Sequence, residues 1–445
     1  MKNFEQFIGS FSFDNRLAEV DIIGSVAHTQ MLVKTKIISS SDGKKIIAGL
    51  KSILRDLQKG WQLPQEEDIH FAVEKELIKR IGPVGGKMHT ARSRNDQVAT
   101  DLRLYVREEI YKIIEMINSF QAVIVKKAEE SIDIIMPGYT HLQPAQPIIG
   151  SHHLLAYAWM LERDKQRLFD SLKRTNIMPL GSAALAGTSF KIDRKYTAKI
   201  LEFDFISDNS LDAVSDRDFA GEYIFDLSMI AMHLSKLSEE IIIWSSVEFN
   251  FIKIDDKFTS GSSIMPQKRN PDCAEIIRGK SGRVFGDLMA MLTIMKALPI
   301  AYNRDLQEDK PPVFDATDTV KLCLGVITEL MQTFSFKKDT TLKSTEKGFL
   351  QATEVADYLA KKNIPFRTAH GIVKNIVNYC IKNEKTLDSL SLNEYKIFSE
   401  IIDKDIYSFI DVKNIVNAKV SIGGTSKKSV VKQILDLKKL IKGKR

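Results

Sequence analysis

Four short polar stretches of this chain hold the residue types that acid–base chemistry on an anionic substrate requires. "TSGSSIMPQKRNPD", residues 259–272, gathers Ser262, Ser263, Lys268 and Asn270. "GYTHLQPAQP", residues 138–147, holds Thr140, His141 and Gln143. "MHTARSRNDQ", residues 88–97, holds His89, Thr90, Arg92, Ser93, Arg94 and Asn95. "AYNRDLQEDKPP", residues 301–312, holds Tyr302, Asn303, Arg304, Gln307 and Lys310. A serine acts as base or nucleophile only when its anion is stabilised. Backbone amides of a Gly-Ser loop, a lysine and a helix N-terminus are groups that supply such stabilisation. His141 reads either as a satisfied core histidine or, on its Pro-bounded loop, as a proton carrier.

Each polar stretch borders a helical pattern. From Asp96 to about Ser131 apolar residues recur at Leu102, Tyr105, Val106, Ile110, Ile113, Ile117, Phe120 and Ile124, a helical stripe. Further runs follow Pro147 (Leu154, Leu155, Tyr157, Leu161), cover about Asp216 to Val247, open at Asn270-Pro271 (Ile277, Val284, Leu288, Met291, Met295), and cover about Ala316 to Phe334. Strand patterns are scarce. The expectation is an all-α chain: a helical region over 1–95, a central long-helix bundle over 96–345 and a second helical region over 346–445. Wide apolar faces on long helices suit burial against other subunits.

Free N–H groups and the positive dipole end make helix N-termini anion-binding. Cations, amides, hydroxyls and a histidine gathered there suit a small polyanion such as a dicarboxylate. Capping is the competing reading: Asn270 with Pro271 is a good N-cap and first-turn pair, and Asn95 or Asp96 suits the same task. Capping does not account for Arg92 and Arg94, whose charge opposes the dipole.

Several classes are excluded. There is no G-x-S-x-G elbow, P-loop or G-x-G-x-x-G unit, so neither serine-hydrolase nor nucleotide chemistry is indicated. Cys273, Cys323 and Cys380 stand far apart, without metal spacing, as reduced thiols of a cytosolic protein would. Neither a signal peptide nor a membrane span is expected. The net charge is +7, with scattered lysines and a basic tail that reads as solvated rather than nucleic-acid-binding.

"GSSIMPQKRNP" resembles the signature loop GSSxMPxKxN of the fumarase/aspartase superfamily. "SFSFDNRLAEVDIIGSVAH", "HTARSRNDQVATDLRL", "GYTHLQPAQP", "NSLDAVSDRDFAGEY" and "YNRDLQEDK" resemble its argininosuccinate lyase branch, collinearly over nearly the whole chain. The resemblance implies an all-α, three-domain subunit, and a homotetramer whose helices form one bundle and whose active sites draw on three subunits. It implies cytoplasmic cleavage of argininosuccinate to arginine and fumarate, the last step of arginine biosynthesis, without metal or organic cofactor, and no nucleic-acid or membrane partner. By position Ser262 matches the general base and His141 the general acid, with Thr140 beside it. Lys268 and Asn270 match holders of the carboxylate and the intermediate. Arg94 and Asn95 match carboxylate binders. Ser10, Asp14 and Asp68 match N-terminal substrate contacts, and Tyr302, Gln307 and Lys310 match holders of the amino-acid end. Gln143 belongs to the same polar set as Thr140 and His141. Adenylosuccinate lyase and a non-catalytic, crystallin-like relative are the alternatives. Ala91 and Ala183 stand where the family carries glycine, and Arg269 where it often carries lysine. An alanine there either takes negative φ, shifting the backbone, or is strained.

Overall fold

The computed structural model describes residue 4 and residues 7–443. The architecture is all-α, as the periodicity predicts. Near the N-terminus lie α1 (Ala18–Lys34), α2 (Ser40–Gln58) and α3 (Ile69–Ile81), which pack on one another. Five long helices follow: α4 (Arg94–Glu130), α5 (Gly150–Thr175), α6 (Asp218–Ser245), α7 (Asp272–Met295) and α8 (Lys310–Thr333). The 37 residues of α4 span about 55 Å at 1.5 Å per residue. Every residue of its expected stripe, from Leu102 to Ile124, is buried.

The chain forms two compact units. The first comprises the described part of Met1–Glu115 with Asp164–Met232 and Lys280–Leu322. The second comprises Met116–Arg163, His233–Gly279 and the described part of Cys323–Arg445. In the first unit Arg103 ties α4 to the end of α5 by donating to the carbonyls of Arg174 (2.8 Å) and Thr175 (3.1 Å), and pairs with Asp216. Tyr105 meets the ring of Phe314 edge-on, and the Tyr223 hydroxyl lies 3.0 Å from that of Thr317. In the second unit Gln121 of α4 donates to the Ala158 carbonyl of α5 (2.9 Å). The helices Ala352–Lys361 and Phe366–Lys382 bury Val355, Leu359, Val373 and Ile376 in a core of their own.

The stretch between α4 and α5 is a hairpin, not an irregular loop. Strand β1 (Ile135–Thr140) pairs antiparallel with β2 (Gln143–Ile149). Ile135 and Ile149 pack with Val416 beneath it, which anchors the base. Its prolines hide the strand pattern in the sequence. Pro137 faces Pro147 in register, so both missing donors fall on one rung of a two-stranded ladder that has no central strand to disrupt.

Ala91 and Ala183 keep the left-handed backbone, with φ of 60° and 50°. The chain did not shift to accommodate their Cβ atoms; it carries the strain, of order 1–2 kcal/mol per residue. Ala91→Gly and Ala183→Gly are each expected to raise unfolding stability by about 1 kcal/mol. Thermal and urea unfolding of the two variants check this, and an unchanged or lowered midpoint in both would show that the strain is absorbed elsewhere.

Candidate active site

The first unit assembles one group of candidate residues at the start of α4. Ser93, not Asn95 or Asp96, is the N-cap: Gln97 N–H bonds the Ser93 carbonyl at 3.2 Å. The Ser93 hydroxyl accepts from Asn95 N–H (3.3 Å), and Asp96 returns the bond by accepting from Ser93 N–H (2.9 Å). This is the reciprocal half of a capping box, with aspartate at the third helical position, while the Ser93 hydroxyl caps the second. The second Asp96 oxygen accepts from the backbone N–H groups of Gly181 (2.9 Å) and Ala183 (2.8 Å). Burial raises the Asp96 pKa, against the pull of these three bonds. Asn95 donates to the Ala184 carbonyl (3.0 Å). A "GSAALAG" loop is thereby fastened to the helix start.

Arg94 is the first residue of α4 and half-buried. Its charge opposes the dipole there, and an ion pair with Asp68 (3.3 Å) offsets this. Arg92 does not join it. Arg92 is buried, donates to Ser25 Oγ (2.9 Å), and faces inward. Asp68 is the N-cap of α3, accepting from Phe71 N–H at 2.6 Å. Asp14 accepts from Ile69 N–H (3.1 Å) and from the Ser10 hydroxyl (2.5 Å), and burial raises its pKa. Ser10, Asp14, Asp68 and Arg94 thus form one connected group.

Lys310 and Tyr302 belong to the same unit. The family resemblance implies Lys310 as a substrate ligand; its ammonium is buried and donates to Asp309 (2.8 Å), which also takes the Arg217 Nε–H (2.5 Å). Burial works to raise the Asp309 pKa, and the two cations outweigh it and hold it down. Sequence reasoning missed Arg217 and Asp309. Arg217 in "SDRDF" was a readable signal, a cation flanked by two acidic side chains, Asp216 and Asp218. Tyr302 is half-buried, its pKa raised by burial and by the Asp309 charge. Gln307 is half-buried on the short helix Arg304–Asp309.

The second unit carries the other candidates. The β1–β2 turn is His141-Leu142, with φ of 55° and 56°. Positive φ at both central positions defines a type I′ turn, which usually takes Asn-Gly. A histidine and a leucine held there are strained. Thr140, His141, Leu142 and Gln143 are all exposed. The signature loop is itself a small hairpin, β3 (Ser260–Gly261) against β4 (Arg269–Asn270). Ser262 follows β3, half-buried; its Oγ accepts from Ile264 N–H (3.2 Å) and Met265 N–H (3.0 Å). Lys268 is exposed, and Ile264 is 86% exposed at the tip. Asn270 is not the cap of α7. It pairs with Ser260, and its amide donates to Ser260 Oγ (3.4 Å), while Pro271 supplies the carbonyl that accepts the first helical bond, from Glu275.

A family profile described as "Lyase" matches residues 2–286, and one described as "Argininosuccinate lyase C-terminal" matches residues 349–417. The argininosuccinate lyase of Caldicellulosiruptor bescii is 53% identical over 440 residues, covering 98% of this chain and 95% of its own. That of Syntrophus aciditrophicus is 52% identical over 432 residues, covering 97% and 92%. The crystal structure of EDDS lyase in complex with formate superposes with a TM-score of 0.87 at 27% identity, covering 97% of this chain and 87% of that one.

His28 supports the turn before α4: its Nε2 lies 2.9 Å from the Thr90 carbonyl. Burial, with Arg92 nearby, drops its pKa from 6.5 to about 3, so the folded chain holds it neutral. A depressed folded pKa gives stability that is full above 6.5 and is lost as pH falls toward 3, at about 1.4 kcal/mol per pH unit. His28→Gln keeps an amide donor and does not titrate. Its stability deficit against the parent, from urea midpoints, is expected to shrink by about 2 kcal/mol between pH 7 and pH 5. A constant deficit would mean that His28 does not govern the acid limb.

Proposed function

The chain belongs to the argininosuccinate lyase family, and from that membership we propose a residue-level account of how it cleaves argininosuccinate to arginine and fumarate. The reaction is a β-elimination. The proton lost lies on carbon next to a carboxylate, and its removal leaves an aci-carboxylate with extra negative charge. Preorganised N–H groups and cations stabilise such a species. Collapse breaks the bond to the guanidino nitrogen, which takes a proton as arginine departs, and leaves fumarate.

Ser262 is the general base in this account. The observation that carries the choice is the pair of backbone N–H groups, Ile264 and Met265, aimed at its Oγ. Hydrogen bonds to the charged form of a group favour that form. No bond of this kind is found at the Ser263 hydroxyl among the described residues. His141, on its exposed turn, is the general acid, with Thr140 and Gln143 beside it to hold the substrate. Lys268 and Asn270 hold the reacting carboxylate and the aci-carboxylate. Arg94 and Asn95 bind carboxylate, and Ser10, Asp14 and Asp68 line the polar end. Tyr302, Gln307 and Lys310 hold the amino-acid end of the arginine portion. The side chains take on substrate binding and proton transfer without a cofactor.

The chain acts as a homotetramer in which neighbouring copies complete each site. Support comes from helix α7, which carries a second apolar face. Phe285, Met289 and Leu292 on it are 45%, 64% and 50% exposed, beside the uncrowded Gly282 and Gly286. Apolar exposure of this kind along a long helix suits a partner helix. The subunit has the three-region organisation 1–95, 96–345 and 346–445, and works in the cytoplasm on a small molecule at the end of arginine biosynthesis.

The direct test offers purified protein argininosuccinate and, separately, adenylosuccinate, and follows fumarate by ultraviolet absorbance. Fumarate from the first alone is expected; fumarate from the second alone would overturn the assignment. Ser262→Ala is expected to lower kcat by 10²-fold or more, on the order of what general-base loss removes. Ser263→Ala should have a much smaller effect, and equal loss in both would remove Ser262 from the base role. His141→Asn separates chemistry from conformation, because asparagine tolerates the left-handed turn. Its melting temperature should stay within a few degrees of the parent while turnover falls by about 10²-fold or more; retained turnover would assign the acid to another group.

A further inference from the structure

Behind the Ser10–Asp14–Asp68–Arg94 group lies a buried cluster that the elimination chemistry does not use. His70, the second residue of α3, places Nδ1 2.9 Å from Asp21 Oδ1 and 3.2 Å from Asp101 Oδ2. All three side chains are almost wholly inaccessible. Asp21 comes from α1, His70 from α3 and Asp101 from α4, so one imidazole joins three helices. The approach is close: a Cβ on Gly24 of α1 would stand 3.3 Å from Asp101 Oδ1.

The cluster is wired outward. Gln97, one turn before Asp101, donates through Nε2 to Asp21 Oδ1 and accepts through Oε1 from Arg94 Nη1 (3.3 Å). Arg94 in turn pairs with Asp68, two residues before His70. The path Asp101–His70–Asp21–Gln97–Arg94–Asp68 therefore runs from a fully buried imidazole to two groups at the helix N-termini and returns to its own helix. A metal ion is a poorer reading of the same three ligands. His70 Nδ1 already faces both carboxylates, hydrogen-bonded to Asp21 and 3.2 Å from Asp101, and the buried Arg92 guanidinium adds a second positive charge nearby.

We propose that His70 is a positioning residue: clamped between Asp21 and Asp101, it fixes α1, α3 and α4 so that Asp68 and Arg94 stand preorganised for substrate before it arrives. The charge state agrees. Burial alone would neutralise His70, but the two carboxylates, Asp21 hydrogen-bonded and Asp101 close by, outweigh it and raise its pKa. Fixed binding groups lower the ordering cost that substrate must meet. Their loss is felt first in the free enzyme, hence in KM, and is partly restored once substrate occupies the site.

The inference rests on the proposed function, and its test reads both together and apart. His70→Gln removes the charge and keeps a donor; Gln97→Met cuts the link to Arg94 and leaves the buried charges paired. Both variants are expected to raise KM for argininosuccinate by tenfold or more while kcat stays within about threefold. Hydrogen exchange of substrate-free protein should speed up tenfold or more at the amides of residues 69–71 and 95–97, and stay unchanged along Phe366–Lys382. If His70→Gln does not fold, Gln97→Met alone decides. Unchanged KM and unchanged exchange in a folded variant overturn the proposal. So does a fall in kcat at constant KM. If the parent protein cleaves no argininosuccinate, the proposed function fails, while the exchange comparison still reports on positioning.

Discussion

The start of α4 depends on one carboxylate. Asp96 accepts from the N–H of the N-cap Ser93 and, with its other oxygen, takes the N–H groups of Gly181 and Ala183. A carboxylate with three backbone donors is a strong acceptor whose bonds are charge-assisted. It does two tasks that a neutral cap divides between residues: it caps the helix start and holds a loop distant in sequence against it. Arg94 is tolerable as the first helical residue because Asp96 and Asp68 supply the negative charge that a helix N-terminus prefers. The arrangement makes sense of two arginines at a helix start. One is turned inward and buried, and only the other faces the candidate binding groups.

Helical periodicity made the long helices legible from sequence, because burial enforces it. The expected α4, Asp96 to about Ser131, is Arg94–Glu130, and its whole predicted stripe is buried. The caps were less legible. Asn270 and Asn95 have the right chemistry for capping, yet Pro271 and Ser93 hold those places, because side-chain propensity does not fix which residue donates the first helical carbonyl. The β1–β2 hairpin was hidden by its prolines, which strand patterns seldom contain. Of the site, the candidate groups were legible through contiguous motifs. The pairing of Arg217 with Asp309 and the Asp21–His70–Asp101 cluster were not, since their members lie far apart in the chain and meet only through tertiary packing.

Left-handed backbone occurs at twelve described non-glycine residues, including four beside candidate groups. Ala91, His141, Leu142 and Ala183 all hold left-handed backbone, near the α4 start or on the β1–β2 turn. Glycine would suit the two alanine positions without strain, and Asn-Gly would suit the turn. At His141 the proposed acid role would account for the choice, a proton carrier standing where the turn geometry favours a smaller residue. No side-chain role explains Ala91 or Ala183 in the same way. Only the backbone N–H of Ala183 is engaged by Asp96, and glycine would offer that equally.

Ser262 repays a count of electron pairs. A neutral hydroxyl has two lone pairs and one hydrogen. With Ile264 and Met265 N–H both directed at Oγ, both pairs are occupied, and the hydrogen is the only feature left to face outward. Neutral Ser262 then has no vacant pair with which to take a proton from carbon. The alkoxide has a third, and that one faces the open side. In the proposed role of Ser262 as base, the small hairpin would therefore act as a selector of ionisation state, holding the alcohol unreactive and leaving a free pair only on the alkoxide.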